Sequence, residues 1–145
     1  MKLMFFASLI CITLLSCGKD DDTLDDDNPN LINPLVNLTL NLNLPQYEPL
    51  KFPGNSVVVT QQGIRGIVVY NVNNDLYNAF ELSDPNHPPA NCSRMELNGI
   101  IAECPCPNDD NEYNIVSGLH TSDPSLYPMQ RYRAERTGDN IRIFN

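Results

Sequence analysis

The ten residues from Leu35 to Leu44, LVNLTLNLNL, limit the possible folds of this chain more than any other stretch. Val36, Leu38, Leu40, Leu42 and Leu44 alternate with Asn37, Thr39, Asn41 and Asn43. Side chains leave a strand on alternate faces, so this pattern gives one apolar face for a core and one polar face for water. Wound as a helix, the same leucines would be scattered around the circumference. Other segments agree. SVVVT (56–60) and GIVVYNV (66–72) are β-branched runs joined by QQGIR, and LYNAFEL (76–82) alternates after an Asn73-Asn74-Asp75 turn. MELNGIIAEC (95–104) predicts a hairpin around Asn98-Gly99, a dipeptide suited to tight turns. A brief strand at Tyr113 to Val116 and a closing hairpin, YRAER-TGDN-IRIF with Gly138 at its tip, complete the set. The segments PQYEPLKFPGN, SDPNHPPAN and GLHTSDPSLYP read as loops. No stretch keeps a helical period over three turns, so the expected fold class is all-β, a small antiparallel sandwich or barrel.

The domain is expected at residues 35–145, behind a leader of a different kind. MKLMFFASLICITLLSC has one basic residue, Lys2, then an apolar stretch of secretory rather than membrane-spanning length. Leu14-Leu15-Ser16-Cys17 resembles the lipobox of bacterial lipoproteins. That resemblance implies a signal peptide at 1–16, cleavage before Cys17, and acylation of Cys17 into a bilayer anchor. Several acyl chains on one residue hold where one would not. Gly18 after the cysteine implies, by the same resemblance, the outer membrane, with the domain periplasmic or surface-exposed. GKDDDTLDDDNPN follows, with six aspartates and one lysine. Such a block cannot bury enough surface to offset chain entropy, so 17–34 reads as a flexible acidic linker. It also resembles the lysine-acidic export tag of some surface lipoproteins, and Asp22-Thr23-Leu24 weakly resembles an O-glycosylation acceptor.

The chain carries a formal charge of −9, and from Leu31 onward it has twelve acidic and seven basic residues. With no dense basic cluster, nucleic acid is excluded as an expected partner. Two histidines, both in proline-bounded loops, and the lack of a Gly-x-Ser-x-Gly elbow leave no nucleophile–base–acid set, so no enzyme is expected.

Setting aside Cys11 and Cys17 leaves Cys92, Cys104 and Cys106 as candidate site residues. Outside the cytoplasm, paired thiols oxidise. With His87 and His120 these cysteines make five potential zinc ligands. The Cys104-Pro105-Cys106 spacing, however, is not the Cys-x-x-Cys of structural zinc sites, and the compartment favours oxidation. His120 reads as a solvent-facing loop residue. Asp109-Asp110-Asn111-Glu112 reads as a solvated polar turn, because no Asp-x-Asp-x-Asp-Gly calcium loop is present. Tyr127, Tyr132 and Phe144 read as aromatics packed on strands.

The order of these features resembles a Rieske iron–sulfur domain. A strand with Ala79-Phe80 leads to a loop with Asp84-Pro85-Asn86-His87 and Cys92. Cys104-Pro105-Cys106-Pro107, a Tyr113 strand, Ser117-Gly118 and Tyr127-Pro128-Met129 follow, and then the Gly138 hairpin. The resemblance covers roughly Ser56 to Asn145. It implies two loops that together hold a [2Fe–2S] centre, one through Cys-x-His and the other through Cys-Pro-x-His. Carried over, Cys104 matches the cysteine of the second loop, while Pro107 stands at that loop's histidine. Asp84 stands at the first cysteine, and the first histidine falls on or near Asn86 or His87. The centre needs two thiolates and two imidazoles, so the expectation is no cofactor and no metal, with degenerate ligand positions at Asp84, His87, Cys104 and Pro107.

The resemblance further implies a disulfide between the two loops, Cys92 to Cys106, with Cys104 left as an odd thiol. Cys92 to Cys104 is the competing pairing, and the residues alone do not choose between them. Either way, the expectation is a non-redox, lipid-anchored lipoprotein that binds an envelope protein or a glycan, or has a structural role there. The alternative from another class is an electron-transfer protein with a [2Fe–2S] cluster in atypical ligation.

Overall fold

The Leu35–Leu44 alternation forms β1 at Asn37–Asn41, shorter than its pattern, and the apolar face continues beyond both ends. Val36, Leu40 and Leu42 are buried while Asn37, Thr39, Asn41 and Asn43 face water. The structure, a computed structural model, describes residues 28–145. The leader at 1–16, Cys17 and the aspartate run lie outside the described residues.

Eight further strands follow: β2 (Ser56–Val59), β3 (Ile67–Asn71), β4 (Tyr77–Glu81), β5 (Glu96–Asn98), β6 (Ile101–Glu103), β7 (Glu112–Asn114), β8 (Arg131–Thr137) and β9 (Asn140–Phe144). All pair antiparallel, in a six-stranded sheet of order β1-β9-β8-β4-β3-β2 and a three-stranded sheet of order β5-β6-β7. The all-β antiparallel expectation is met. One loop holds more structure than expected: PQYEPLKFPGN contains a single 3-10 turn, Glu48–Lys51. It drives Leu50 into the core, and the Leu50 carbonyl accepts from Tyr77 Oη and Asn71 Nδ2.

The six-stranded sheet curls around one core. Leu40, Val59, Ile67, Val69, Tyr77, Ala79, Tyr132, Ile141 and Ile143, from all six strands, meet in a single cluster. Burying each such aliphatic side chain contributes about 1.5–3 kcal/mol. The two free edges come together through one side chain: Gln62, between β2 and β3, donates to Asn37 O and accepts from Asn37 N at 2.8 Å.

LYNAFEL behaves differently from its pattern, for all five residues of β4 are buried. An alternating strand is expected to be half-wet, but β4 lies between β3 and β8 and is covered on both faces. Tyr77 and Ala79 face the first core, and Phe80 faces a second core with Val68, Leu82, Met95, Ala102, Tyr113, Ile115 and Met129. This second core is the contact between the two sheets. Chain residues 82–130 form one excursion between the neighbouring strands β4 and β8, and that excursion carries the small sheet and all the loops of interest. Gly118 shows how closely the excursion packs: its φ is +79°, and a Cβ there would lie 2.5 Å from the Phe80 ring.

Glu81, at the end of β4, fixes where the excursion begins. It is fully buried and accepts from Ile64 N and Arg65 N (both 2.7 Å), Ser83 N (3.0 Å) and Tyr132 Oη (2.9 Å). Four donors on two oxygens compensate the loss of water around a carboxylate. They tie the β2–β3 connection and β8 to the residue three positions before Asp84. Nothing local in the sequence marks Glu81 as a buried carboxylate.

Residues 28–34, placed in the linker on sequence grounds, are tied to the body. Asn28 and Asn30 donate from Nδ2 to the Pro85 carbonyl at 2.8 and 3.0 Å, and Asn145 Nδ2 donates to Asn33 Oδ1 and to the Pro34 carbonyl.

Candidate functional site

Two loops leave the small sheet and the end of β4, and each is closed at its base by the backbone. The first, 84–93, is pinned by Asp84 N donating to Ser93 O (2.9 Å), with a bridge between Ser83 and Arg94. The second, 104–111, is pinned by Cys104 N donating to Asn111 O (2.9 Å), beyond the Glu103–Glu112 pair of β6 and β7. Neither loop contains a strand, so what holds them against each other is side-chain chemistry.

A covalent bond does part of this. Cys92 and Cys106 are joined as a disulfide, with their Cα atoms 5.0 Å apart, and Cys104 is a buried free cysteine. Of the two pairings open to the sequence, the structure has the one between the loop bearing His87 and the second cysteine of the doublet.

Beneath the disulfide, four side chains converge. The reactive atoms of Asp84, His87, Cys104 and Asp109 all lie within 4.8 Å of one another. His87 Nε2 is 3.4 Å from Cys104 Sγ, 3.2 Å from Asp109 Oδ2 and 3.9 Å from Asp84 Oδ2. Its other nitrogen, Nδ1, is 2.9 Å from the Pro88 carbonyl, which can only accept, so Nδ1 carries the proton of this hydrogen bond. Asp84 is fully buried. Asn86 N (2.7 Å) and Tyr113 Oη (3.2 Å) donate to its Oδ1, and Asn111 Nδ2 (3.1 Å) donates to its Oδ2. No lysine or arginine is paired with it among the described residues.

Burial pushes the Cys104 thiol up to about 12 from its ordinary 9.0, opposed by the Cys106 amide and reinforced by Asp109 and Asp84. Burial also raises the Tyr113 phenol, and the charge of Asp84 adds to that. Both groups are therefore neutral donors at neutral pH.

Asn86 joins a third loop to the site. Its Nδ2 donates to Tyr113 Oη (2.7 Å) and to the Tyr127 carbonyl (2.9 Å), and its Oδ1 accepts from Tyr127 N (3.0 Å).

Of the residues singled out in sequence, the structure brings Asp84, His87 and Cys104 together, with Cys92 and Cys106 beside them. Pro107 is exposed on the outer turn of the second loop. Three expectations need correction. Asp109 is not simply part of a solvated turn: its side chain is 15% exposed and points at His87, because the turn after Pro107 folds back under the loop. His120 is half-buried rather than solvent-facing. Its ring meets the Tyr113 ring edge-on at 5.1 Å, and its Nδ1 accepts from Ser122 N and Asp123 N. Tyr127 is not packed on a strand. It is 41% exposed in the third loop, held there by its backbone. Tyr113 and Asn111, which with the Asn86 amide orient Asp84, were missed as site residues; a buried aspartate's need for donors signals them only once its burial is known.

Fold and site together define an all-β antiparallel domain in which two disulfide-linked loops lie against a cluster of Asp84, His87, Cys104 and Asp109. No family model matches the chain, and no curated protein matches it. Similar solved structures exist. A ferredoxin of Sphingomonas yanoikuyae is 22% identical, covering 65% of this chain and 88% of its own, with a TM-score of 0.43. A putative NADH-dependent nitrite reductase small subunit from Mycobacterium tuberculosis is 17% identical, covering 78% and 97%, with a TM-score of 0.45. A chain from the complex of reduced oxygenase and oxidized ferredoxin in carbazole 1,9a-dioxygenase is 25% identical, covering 63% and 82%, with a TM-score of 0.43.

Proposed function

We propose that this chain is a lipid-anchored lipoprotein of the cell envelope whose Rieske-like domain carries no [2Fe–2S] centre and has a binding or structural role. Acylated Cys17 inserts in the outer membrane, and the domain is presented on the periplasmic or outer side to an envelope protein or a glycan. No catalytic constellation is assigned to it. The partner class rests on location and fold analogy.

The observation that supports the non-redox reading is the donor set between the loops. A Rieske centre takes two thiolates on one iron and two imidazoles on the other. Here one free thiol, Cys104, and one imidazole, His87, face two carboxylates, and the other two cysteines are consumed in a disulfide. His120 is engaged by backbone amides and the Tyr113 ring instead. Pro107 offers no side-chain donor. The residues present do not fit the cluster. For the anchor, the support is the lipobox-like Leu14-Leu15-Ser16-Cys17 alone. Among the described residues no helix is long and apolar enough to cross a membrane.

Two measurements test the reading. Iron and acid-labile sulfide assays on the purified chain, with a visible spectrum, are expected to find neither cluster component nor colour. A brown protein with stoichiometric iron and sulfide refutes the non-redox role and revives electron transfer. Mass spectrometry of the mature N-terminus is expected to find acylated Cys17; an unmodified Cys17 removes the anchor.

A further inference from the structure

We propose that Asp84, His87, Cys104 and Asp109 form a binding site for one divalent cation of the zinc class. The site is mononuclear and redox-inactive, so it goes beyond the reading above without requiring its partner or its anchor.

The geometry carries the proposal. A tetrahedral zinc ion with arms of about 2.0 Å to nitrogen and oxygen and about 2.3 Å to one sulfur has ligand–ligand edges of roughly 3.3–3.5 Å. The three edges that meet at His87 Nε2 are 3.4, 3.2 and 3.9 Å, and no pair in the set exceeds 4.8 Å. Four ligand atoms from two loops are therefore gathered within the span of a single coordination shell, and small side-chain rotations would close them on one ion.

The second observation is what surrounds those atoms. Nδ1–H of His87 is held by the Pro88 carbonyl, which turns the Nε2 lone pair inward. A carbonyl acceptor behind a metal-binding imidazole fixes its tautomer in just this way. Nε2 faces the Oδ2 atoms of Asp84 and Asp109 together with Cys104 Sγ, so one nitrogen, two carboxylates and one sulfur converge on a point where a cation fits between them. Asp84 is oriented from behind by Tyr113, Asn111 and the Asn86 amide, and among the described residues no lysine or arginine pairs with it in its buried position. The disulfide holds the two ligand loops in place and leaves Cys104 no second free thiol among the described residues.

One nitrogen, one sulfur and two carboxylate oxygens select the class. Calcium and magnesium prefer all-oxygen sites with more ligands, whereas imidazole and thiolate suit zinc and cobalt. On binding, the Cys104 S–H bond breaks, its proton leaves to solvent, and the sulfur–metal bond forms. Nothing is oxidised or reduced. The cation enters from the side of His87 and Asp109, whose side chains are 25% and 15% exposed.

The test is a cobalt(II) titration of the full chain in detergent, disulfide intact and treated beforehand with chelator, followed by competition with zinc. The expected result is one cobalt per chain, with tetrahedral visible bands and a thiolate-to-cobalt charge-transfer band that zinc abolishes. Cys104→Ser is expected to lose the charge-transfer band. Asp109→Asn, at a partly exposed position and checked for folding by circular dichroism, is expected to weaken binding by at least about tenfold. A spectrum unchanged in Cys104→Ser, octahedral cobalt without charge transfer, or no uptake each overturns the proposal. A chain isolated with iron and sulfide overturns both this site and the non-redox reading. A colourless chain that refuses cobalt overturns this site alone.

Discussion

Replacing both Cys92 and Cys106 by serine removes the only covalent tie between the site loops, and its cost follows from the ring it closes. The bonded residues are 14 apart in sequence, a ring of fifteen counting both ends. Freeing that ring restores chain entropy to the unfolded state worth about 3 kcal/mol at room temperature. Small domains have about 5–15 kcal/mol in total, so the loss is a large share. The remaining ties between the loops are the contacts of His87 with Asp109 and Cys104 and the hydrogen bond from Asn111 to Asp84, the last worth about 1.5–3 kcal/mol net at a charged acceptor. They are enough to keep the native state recognisable.

Urea unfolding of the full chain is the assay, followed by far-ultraviolet dichroism and by tyrosine fluorescence, since the chain has six tyrosines and no tryptophan. With a slope near 1.5 kcal/mol per molar, the midpoint is expected to fall by about 2 M. Thermal melts are expected to fall by roughly 10 °C. The slope is expected to rise modestly, because an unlinked denatured chain exposes more surface. Chemical reduction of the parent protein is expected to reproduce the variant. A double variant within about 0.5 kcal/mol of the parent would refute the argument that the bridge acts on the unfolded state. Cys104→Ala is the control, since it removes a thiol without touching the ring.

Glu81→Gln places an amide NH2 against backbone donors that now meet an oxygen, and is expected to cost about 3 kcal/mol by denaturant unfolding; a change below about 1 kcal/mol refutes the four-donor account. Stability is expected to fall as pH rises from about 9 towards 12, measured in the presence of chelator. Cys104, Tyr113 and Tyr132 are all held above their ordinary values by burial, so the unfolded chain releases protons there while the folded chain keeps them. Urea melts at about pH 8 and about pH 10.5 read this directly, and equal midpoints would contradict it.

Legibility in the sequence followed the physics of each element. β1 was plain because one of its faces meets water, which writes burial into the pattern every second residue. β4 was found as a strand but its burial was not, since Asn78 and Glu81 are polar residues buried by neighbours distant in sequence. The Asn98-Gly99 hairpin was readable from a local requirement, a positive φ of +63° at Gly99. The site was half-readable. Asp84, His87 and Cys104 came to attention through a resemblance in order and spacing. Asp109 did not, because nothing local distinguishes an aspartate that folds under a loop from one that faces water. The same holds for Tyr113, whose hydroxyl reaches Asp84 across 29 positions.

Asn28 and Asn30 grip the Pro85 carbonyl, one residue from Asp84. With Cys17 acylated as proposed, only eleven steps of chain separate the acyl group from that grip, a reach of at most about 40 Å when fully extended. The cluster would then work on a short leash. Whatever meets it must come within about that distance of the bilayer surface.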